Sequence, residues 1–230
     1  MAENTQIDAY RGTRAIKQHQ REMLALVREN FPEFDGRGLD IGCAEGAFMH
    51  LLADCFPKAQ LTGIDLSAEL IALARERWTG GAARFVVADA LEFEPEEPYD
   101  VVTGAGILSI FEDPFPPLDR WLSWLSATGR LYLFGRFNSA PIDTIIQFRN
   151  HYTNGQWEGG LTAFSVETVG QYLAERGWQH SLTKFNLTVK LPRHPDPIRT
   201  YTLDLADGGT LVVNGTNVIA EHFFLKVWKD

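Results

Sequence analysis

The sequence contains few cysteines and no long apolar run, and each absence excludes a class of protein. Its 230 residues include only two cysteines, Cys43 and Cys55. Two cysteines cannot form the disulfide framework of a small secreted domain, and no Cys or His cluster has the spacing of zinc ligands. We therefore expect no metal site and a reducing, cytoplasmic environment.

Membrane association is also not expected. The apolar runs are far shorter than the ~18 residues that a spanning helix requires. The first twenty residues are polar and of mixed charge, unlike a secretory signal. We expect a soluble protein without a membrane partner.

Positive charge is scarce. Lysine and arginine together number 21 against 30 aspartates and glutamates, which gives a net charge of −9 at pH 7. Because nucleic acids are bound mainly through Lys and Arg, this balance argues against a nucleic-acid partner. Hydrophobic residues make up 45% of the chain, enough for a large core.

Helical and strand patterns alternate through the first part of the chain. Apolar spacing predicts helices over 13–30, 46–55, 67–78 and 117–126. Strand patterns lie over 38–42, 60–65, 84–88, 99–104 and 130–135. Such an alternation indicates a parallel sheet with helices on both faces.

The alternation then stops. Residues 136–161 have no clean period, which predicts a lid or an extra helix. A helix over 166–176, capped by Ser165, is followed by strand patterns that include a hairpin at 201–213 and a last strand at 218–228. We predict one Rossmann-like α/β domain over 1–230, with antiparallel strands at its C-terminal edge. Its parts are a cap helix in 1–34, a lid-like insertion in 136–164 and C-terminal strands in 179–230.

Four predicted strands end in residues suited to a nucleotide-like ligand, which open α/β sheets bind at the carboxyl ends of their strands. After the first strand, the glycines of 40–46 permit close approach of the backbone. Asp65 follows the second strand and could accept both hydroxyls of a ribose. Asp89 follows the third and suits an adenine amine, and the small residues of 104–106 leave space after the fourth. The candidate binding residues are Asp40, Gly42, Cys43, Ala44, Gly46, Asp65, Leu66, Asp89, Ala90, Gly104, Ala105 and Gly106.

In this order, the motifs resemble those of class I S-adenosylmethionine-dependent methyltransferases of the small-molecule type. The resemblance covers Leu39 to Gly177 and, with the flanking elements, nearly the whole chain. Ala44 departs from it, since the family more often has glycine there. The resemblance implies a seven-stranded sheet with the last strand antiparallel, S-adenosylmethionine as cofactor, and contacts of Asp65 with ribose and Asp89 with adenine.

The same motifs bear on alternative functions. An NAD-dependent dehydrogenase would need G-x-G-x-x-G after the first strand, and this chain has G-x-x-x-G. The resemblance implies transfer of a methyl group, by in-line displacement under the lid, to an oxygen or nitrogen of a small-molecule acceptor. A protein or RNA methyltransferase, or a cofactor-binding interaction module without turnover, are the alternatives.

Candidate catalytic residues lie in the lid-like segment. His151 and Tyr152 could act as a base or orient the acceptor. In relatives, a segment like that of Tyr10, Arg11, Arg14 and Lys17 often closes over the cofactor, so that one basic residue could contact its carboxylate. The identity of the acceptor, and whether the protein is a monomer or a homodimer, stay open.

Overall fold

A computed structural model describes residues 16–152 and 155–229. Its helices are α1 (Gln18–Asn30), α2 (Ala47–Cys55), α3 (Ala68–Arg77), α4 (Phe115–Leu122) and α5 (Val166–Glu175). The strands are β1 (Arg37–Ile41), β2 (Gln60–Asp65), β3 (Ala83–Val87), β4 (Tyr99–Ala105), β5 (Leu125–Asn138), β6 (Phe148–Arg149), β7 (Trp157–Glu158), β8 (Phe164–Ser165), β9 (Gln179–Lys184), β10 (Tyr201–Asp204), β11 (Thr210–Val213) and β12 (His222–Trp228). Within these residues, no helix is long and apolar enough to cross a bilayer.

The main sheet has the strand order β3-β2-β1-β4-β5-β12-β9, and the short β8 pairs with the end of β5. The first five strands are parallel, whereas β12 runs antiparallel between β5 and β9. The predicted Rossmann-like α/β fold is thereby confirmed. The direction of strand addition reverses between β1 and β4, which is where such sheets bind ligands.

Helices cover both faces of the sheet because consecutive strand residues point to opposite sides. Val101 packs into a buried cluster with Met23 and Val27 of α1, whereas its neighbour Val102 packs into one with Trp121 of α4. Burial of apolar area on both faces is the main stabilising term of such a fold.

Two helices begin at a capping serine, one of them the predicted Ser165. The Ser67 hydroxyl accepts a hydrogen bond from Leu70 N at 3.3 Å, and the Ser165 hydroxyl accepts one from Thr168 N at 2.9 Å. Each oxygen satisfies a backbone donor that the first turn leaves free.

The predicted boundary between the fourth helix and the fifth strand was wrong. The helix expected over 117–126 ends at Leu122, and the strand expected over 130–135 extends from Leu125 to Asn138. Gly129, between the two predicted elements, lies within β5, where the register with β4 shifts between Tyr99 and Val101. A Cβ atom at position 129 would lie 2.6 Å from the Tyr99 carbonyl oxygen, so this irregular pairing requires glycine.

The C-terminal half also differs from expectation in two places. The described residues of 139–163, here called the insertion, contain no helix but a two-stranded ribbon of β6 and β7. The predicted hairpin exists as β10 and β11, but it forms a separate two-stranded sheet. It cannot extend the main sheet beside β12, because β9 pairs along that side over six residues.

Candidate functional site

The loop between β1 and α2 is a sharply turned backbone segment. Gly42, Ala44 and Gly46 have φ angles of +68°, +47° and +80°, all in the left-handed region. Gly42 N and Cys43 N donate hydrogen bonds to the Ile64 carbonyl oxygen at 2.8 and 3.0 Å, which fastens the loop to the end of β2. The preference of the family for glycine at position 44 has its physical reason here, since a Cβ atom in this conformation costs about 1 kcal/mol.

Asp65 lies at the end of β2 and connects that strand to this loop. Its Oδ2 accepts a hydrogen bond from Ala44 N at 3.0 Å, and its Oδ1 accepts one from Ser67 N at 2.9 Å. Each oxygen keeps further acceptor capacity, and the carboxylate is fixed in orientation. The adjacent Leu66 exposes 71% of its surface, an apolar surface beside a fixed acid.

Asp40 lies beneath the same loop and is buried. The Thr103 hydroxyl on β4 donates a hydrogen bond to its Oδ1 at 2.8 Å. Burial raises the pKa of Asp40 to about 7; the bond from Thr103 opposes this change and the charge of Asp65 reinforces it. Asp40 is therefore only partly ionised at neutral pH, and it links β1 to β4 at the switch point.

Cys43 contributes its backbone, rather than its side chain, to the loop between β1 and α2. Its side chain is buried, and a Cβ atom on Gly63 would lie 2.8 Å from its sulfur. Burial raises the pKa of the thiol, so it stays protonated and unreactive.

Asp89 and Ala90 follow β3 next to the Asp65 strand end. Ala88 N donates a hydrogen bond to the Asp65 carbonyl oxygen at 3.0 Å. Asp89 Oδ1 accepts one from Leu91 N at 2.8 Å, while the Ala90 carbonyl oxygen accepts one from Trp121 Nε1 at 3.1 Å. Asp89 thus keeps acceptor capacity beside Asp65.

The end of β4 is made of small residues. Gly104 is closely packed, because a Cβ atom there would lie 2.9 Å from the Ile107 side chain. Ala105 is exposed. Gly106 has a φ of +74°, and a Cβ atom on it would meet nothing within 4 Å. Gly106 N donates to the Phe134 carbonyl oxygen at 2.7 Å, so the open space above Gly106 adjoins β5.

The predicted catalytic pair lies on the surface of the insertion. His151 is exposed and Tyr152 exposes 87% of its surface. Tyr152 N donates a hydrogen bond to Asn150 Oδ1 within the same segment. Their role stays a prediction.

The basic residues expected near the first helix are only partly described. Tyr10, Arg11 and Arg14 lie outside the described residues, as does the beginning of the helix predicted over 13–30. Lys17 precedes α1; desolvation lowers the pKa of its ammonium, and the nearby charge of Glu45 in the β1–α2 loop opposes that change.

Two histidines that the sequence analysis did not propose for catalysis meet on an aromatic ring of β5. The His19 ring stacks on Phe134 with 4.4 Å between centroids, and the His222 ring lies parallel to Phe134 at 5.4 Å. Burial lowers the pKa of His19 to about 3 and that of His222 to about 4, with smaller effects of the charges of Lys17 and Arg136, respectively. Both imidazoles are therefore neutral at pH 7.

The nearest sequence signal for this cluster is the alternation along β5. Tyr132, Phe134 and Arg136 share one face of the strand, which places a cation directly after two aromatic side chains. The histidines come from α1 and β12, far apart in sequence, so only the folded chain reveals the group.

A cleft of about 290 Å³ opens beyond the end of β5. It lies between the insertion and the loop that precedes β12, and Thr162 N joins the insertion to the loop after β4 through a 2.9 Å bond to the Ser109 carbonyl oxygen. The residues lining it are Arg136, Phe137, Asn138, Thr144, Ile146, Leu161, Ala163, Val218, Ile219 and Glu221.

Comparisons with known proteins agree with this geometry. A family model described as a methyltransferase domain matches residues 39–129. The chain is 28% identical over 164 residues to malonyl-[acyl-carrier protein] O-methyltransferase of Priestia megaterium, covering 71% of this chain and 57% of that protein. It is 32% identical over 114 residues to trans-aconitate 2-methyltransferase of Streptomyces avermitilis, covering 48% of this chain and 42% of that protein. The matches thus span about half the length of these curated relatives.

Solved structures share the fold. The S-adenosylmethionine-bound amino pentose methyltransferase CalS10 of Micromonospora echinaspora superposes with a TM-score of 0.59 at 18% identity, covering 95% of this chain and 94% of that one. The chain therefore matches a methyltransferase domain over residues 39–129 and shares the fold of S-adenosylmethionine-dependent methyltransferases. S-adenosylmethionine is the cofactor of this family. The residues present are compatible with it: the Asp65 carboxylate is fixed in orientation, Leu66 is exposed beside it, and a Cβ atom on Gly106 would meet nothing within 4 Å.

Proposed function

We propose that this protein transfers a methyl group from S-adenosylmethionine to an oxygen or nitrogen of a small-molecule acceptor. The observation that carries the proposal is the Asp65 carboxylate, which is bonded to Ala44 N of the glycine-containing loop and keeps acceptor capacity. The names of the two curated relatives, an O-methyltransferase for a carrier-bound malonyl group and a methyltransferase for trans-aconitate, support an acceptor of modest size.

The proposed division of the site follows the strand ends. Asp65 would hold the ribose, Asp89 the adenine amine and Leu66 the adenine face, while the loop of Gly42, Ala44 and Gly46 would surround the amino-acid end. Asp40 would place negative charge beneath that end. The small residues Gly104, Ala105 and Gly106 would leave the space in which acceptor and cofactor meet.

The chain's own contribution to the reaction is positioning. The bound cofactor supplies a methyl group already activated on a sulfonium, and transfer requires the acceptor atom to lie in line with the breaking bond. The cleft lies at the end of β5, and Phe134 of the same strand, two residues before Arg136, accepts a hydrogen bond from Gly106 N. The insertion forms one wall of this cleft and would exclude water from it.

An acceptor that must lose a proton would also need a base. His19 and His222 are poorly suited to that role, because burial lowers their pKa values to about 3 and about 4 and so makes them weak bases. His151 and Tyr152 are candidates for the same role only if the insertion turns them toward the cleft, because both face solvent.

The test is a turnover assay that measures S-adenosylhomocysteine formed from S-adenosylmethionine. Panels of carboxylic acids, phenols and amines would be offered, with Asp65→Ala as the inactive control. Turnover on one panel that is lost in the variant supports the proposal. Binding of S-adenosylhomocysteine without turnover on these panels, on proteins or on RNA would favour the non-catalytic interaction module, and turnover confined to protein or RNA would replace the small-molecule acceptor.

A further inference from the structure

Arg136 is an unusual residue for the end of a core strand. It exposes only 8% of its surface, and its Nε and Nη1 atoms have no hydrogen-bond partner among the residues that the structure describes. Those two atoms carry three N–H donors. A buried guanidinium is normally paired with a carboxylate or with carbonyl oxygens, because a charge removed from water without compensation is strongly unfavourable.

The neighbouring acid does not supply the missing partner. Glu221 lines the same cleft, but its carboxylate accepts hydrogen bonds from Lys184 Nζ and from the Ser139 backbone and hydroxyl groups. Those contacts, led by the one with Lys184, lower the pKa of Glu221 to about 2. Its negative charge is therefore already balanced, and the ion pairs found among the described residues do not include Arg136.

Arg136 lies away from the glycine-containing loop that would surround the amino-acid end of the cofactor. β5 lies two strands from β1, which at about 4.8 Å per strand places it roughly 10 Å from the strand that begins the glycine-containing loop. Arg136 instead lines the cleft between the insertion and the loop before β12. Much of the cleft wall is apolar, with Ile146, Leu161 and Val218 among its residues.

We propose that Arg136 binds a carboxylate of the methyl acceptor, so that the acceptor is an acid with an apolar body. The inference rests on the proposed function and names the substrate class of that site. A planar carboxylate matches the donors of a guanidinium and would supply the compensation that the protein itself does not. The Lys184 ammonium at this end of β5 is already paired with Glu221, whereas the ion pairs among the described residues do not include Arg136.

The first experiment needs no turnover. Hexanoate and the neutral, equally sized hexanamide would be titrated into the protein saturated with S-adenosylhomocysteine, while the Nε–H resonance of Arg136 is followed by NMR. We expect hexanoate to bind at least tenfold more tightly than hexanamide and to shift that resonance. Equal affinities, or a hexanoate site that leaves the resonance unchanged, would overturn the proposal.

The matched variants are Arg136→Met and Arg130→Met. Arg130 lies on the same face of β5, about 20 Å away by strand length, with its guanidinium over the Trp228 ring. Arg136→Met should lose the preference for hexanoate and, because it removes an uncompensated buried charge, raise the melting temperature of the free protein by about 2–4 °C. Arg130→Met should leave the preference intact. A lower melting temperature with unchanged hexanoate binding in Arg136→Met would assign Arg136 a structural role and contradict the inference.

The affinity for S-adenosylhomocysteine distinguishes whether Arg136 binds the carboxylate of the acceptor or that of the cofactor. The inference expects the cofactor product to bind Arg136→Met within about twofold of the wild type. A tenfold loss of its affinity would show that Arg136 binds the amino-acid end of the cofactor and would overturn the acceptor assignment. Failure of the proposed function is distinct from either result, since it would appear as absent turnover in a protein whose hexanoate titration still succeeds.

Discussion

Replacing Asp40 with asparagine should stabilise the protein at pH 8 and change its stability little at pH 4. The carboxyl group is buried, and its hydrogen bond from the Thr103 hydroxyl can equally be accepted by an asparagine Oδ1. The substitution therefore keeps the shape and the hydrogen bond and removes the ionisation.

The magnitude follows from the pKa. Burial raises the pKa of Asp40 from 3.8 to about 7, a change of three units, and each unit is worth about 1.4 kcal/mol. The folded state binds the proton more tightly than the unfolded state. The stabilising contribution of this group is thus fully present below about pH 4 and is lost as the pH rises to 7. Ionised Asp40 should cost about 4 kcal/mol of unfolding free energy at pH 8.

Urea unfolding of the wild type and Asp40→Asn between pH 4.5 and 8.5 measures this directly. The difference between the two free energies of unfolding cancels the titration of other groups. It should grow from below about 2 kcal/mol at the acid end to about 4 kcal/mol at the alkaline end. Two parallel curves would refute the reasoning, because they would mean that Asp40 titrates normally in the folded protein.

The remaining predictions concern backbone geometry and helix capping. Ala44→Gly should raise the free energy of unfolding by about 1 kcal/mol, because glycine adopts the left-handed conformation of that position without a Cβ penalty. Its urea midpoint should increase, and a decrease would mean that position 44 is not strained. Ser165→Ala should lower the free energy of unfolding by about 1 kcal/mol, since it removes the oxygen that accepts from Thr168 N at the start of α5. Unchanged stability in denaturant titration would show that another group caps this helix.

Much of the parallel half of the fold could be predicted because its determinants are local. The residues of β2 were predicted without error, since a short apolar run there is bounded by Pro57 on one side and the capping Ser67 on the other. The position of Asp65 at its end followed from the same pattern. It accepts hydrogen bonds from Ala44 N and Ser67 N, and its role toward a ribose stays a prediction.

The rest depends on contacts between distant parts of the chain. Gly129 has the local character of a helix terminator, but its place in β5 is fixed by the Tyr99 carbonyl oxygen of a neighbouring strand. Likewise, the separation of the β10–β11 hairpin from the main sheet depends on β9 pairing with β12. The grouping of His19, Phe134 and His222 has no local signature, because α1, β5 and β12 meet only in the folded sheet.

The central claim is that the carboxyl ends of β1 and β2 form the cofactor site, and calorimetric titration with S-adenosylhomocysteine tests it most directly. The wild type should bind one molecule per chain. Asp65→Ala should bind at least about 100-fold more weakly, since it removes an acceptor for two charge-assisted hydrogen bonds of roughly 1.5 kcal/mol each. Ser67→Ala, which removes only the cap of α3, should bind as the wild type does. No binding by the wild type, or equal binding by Asp65→Ala, would contradict the account.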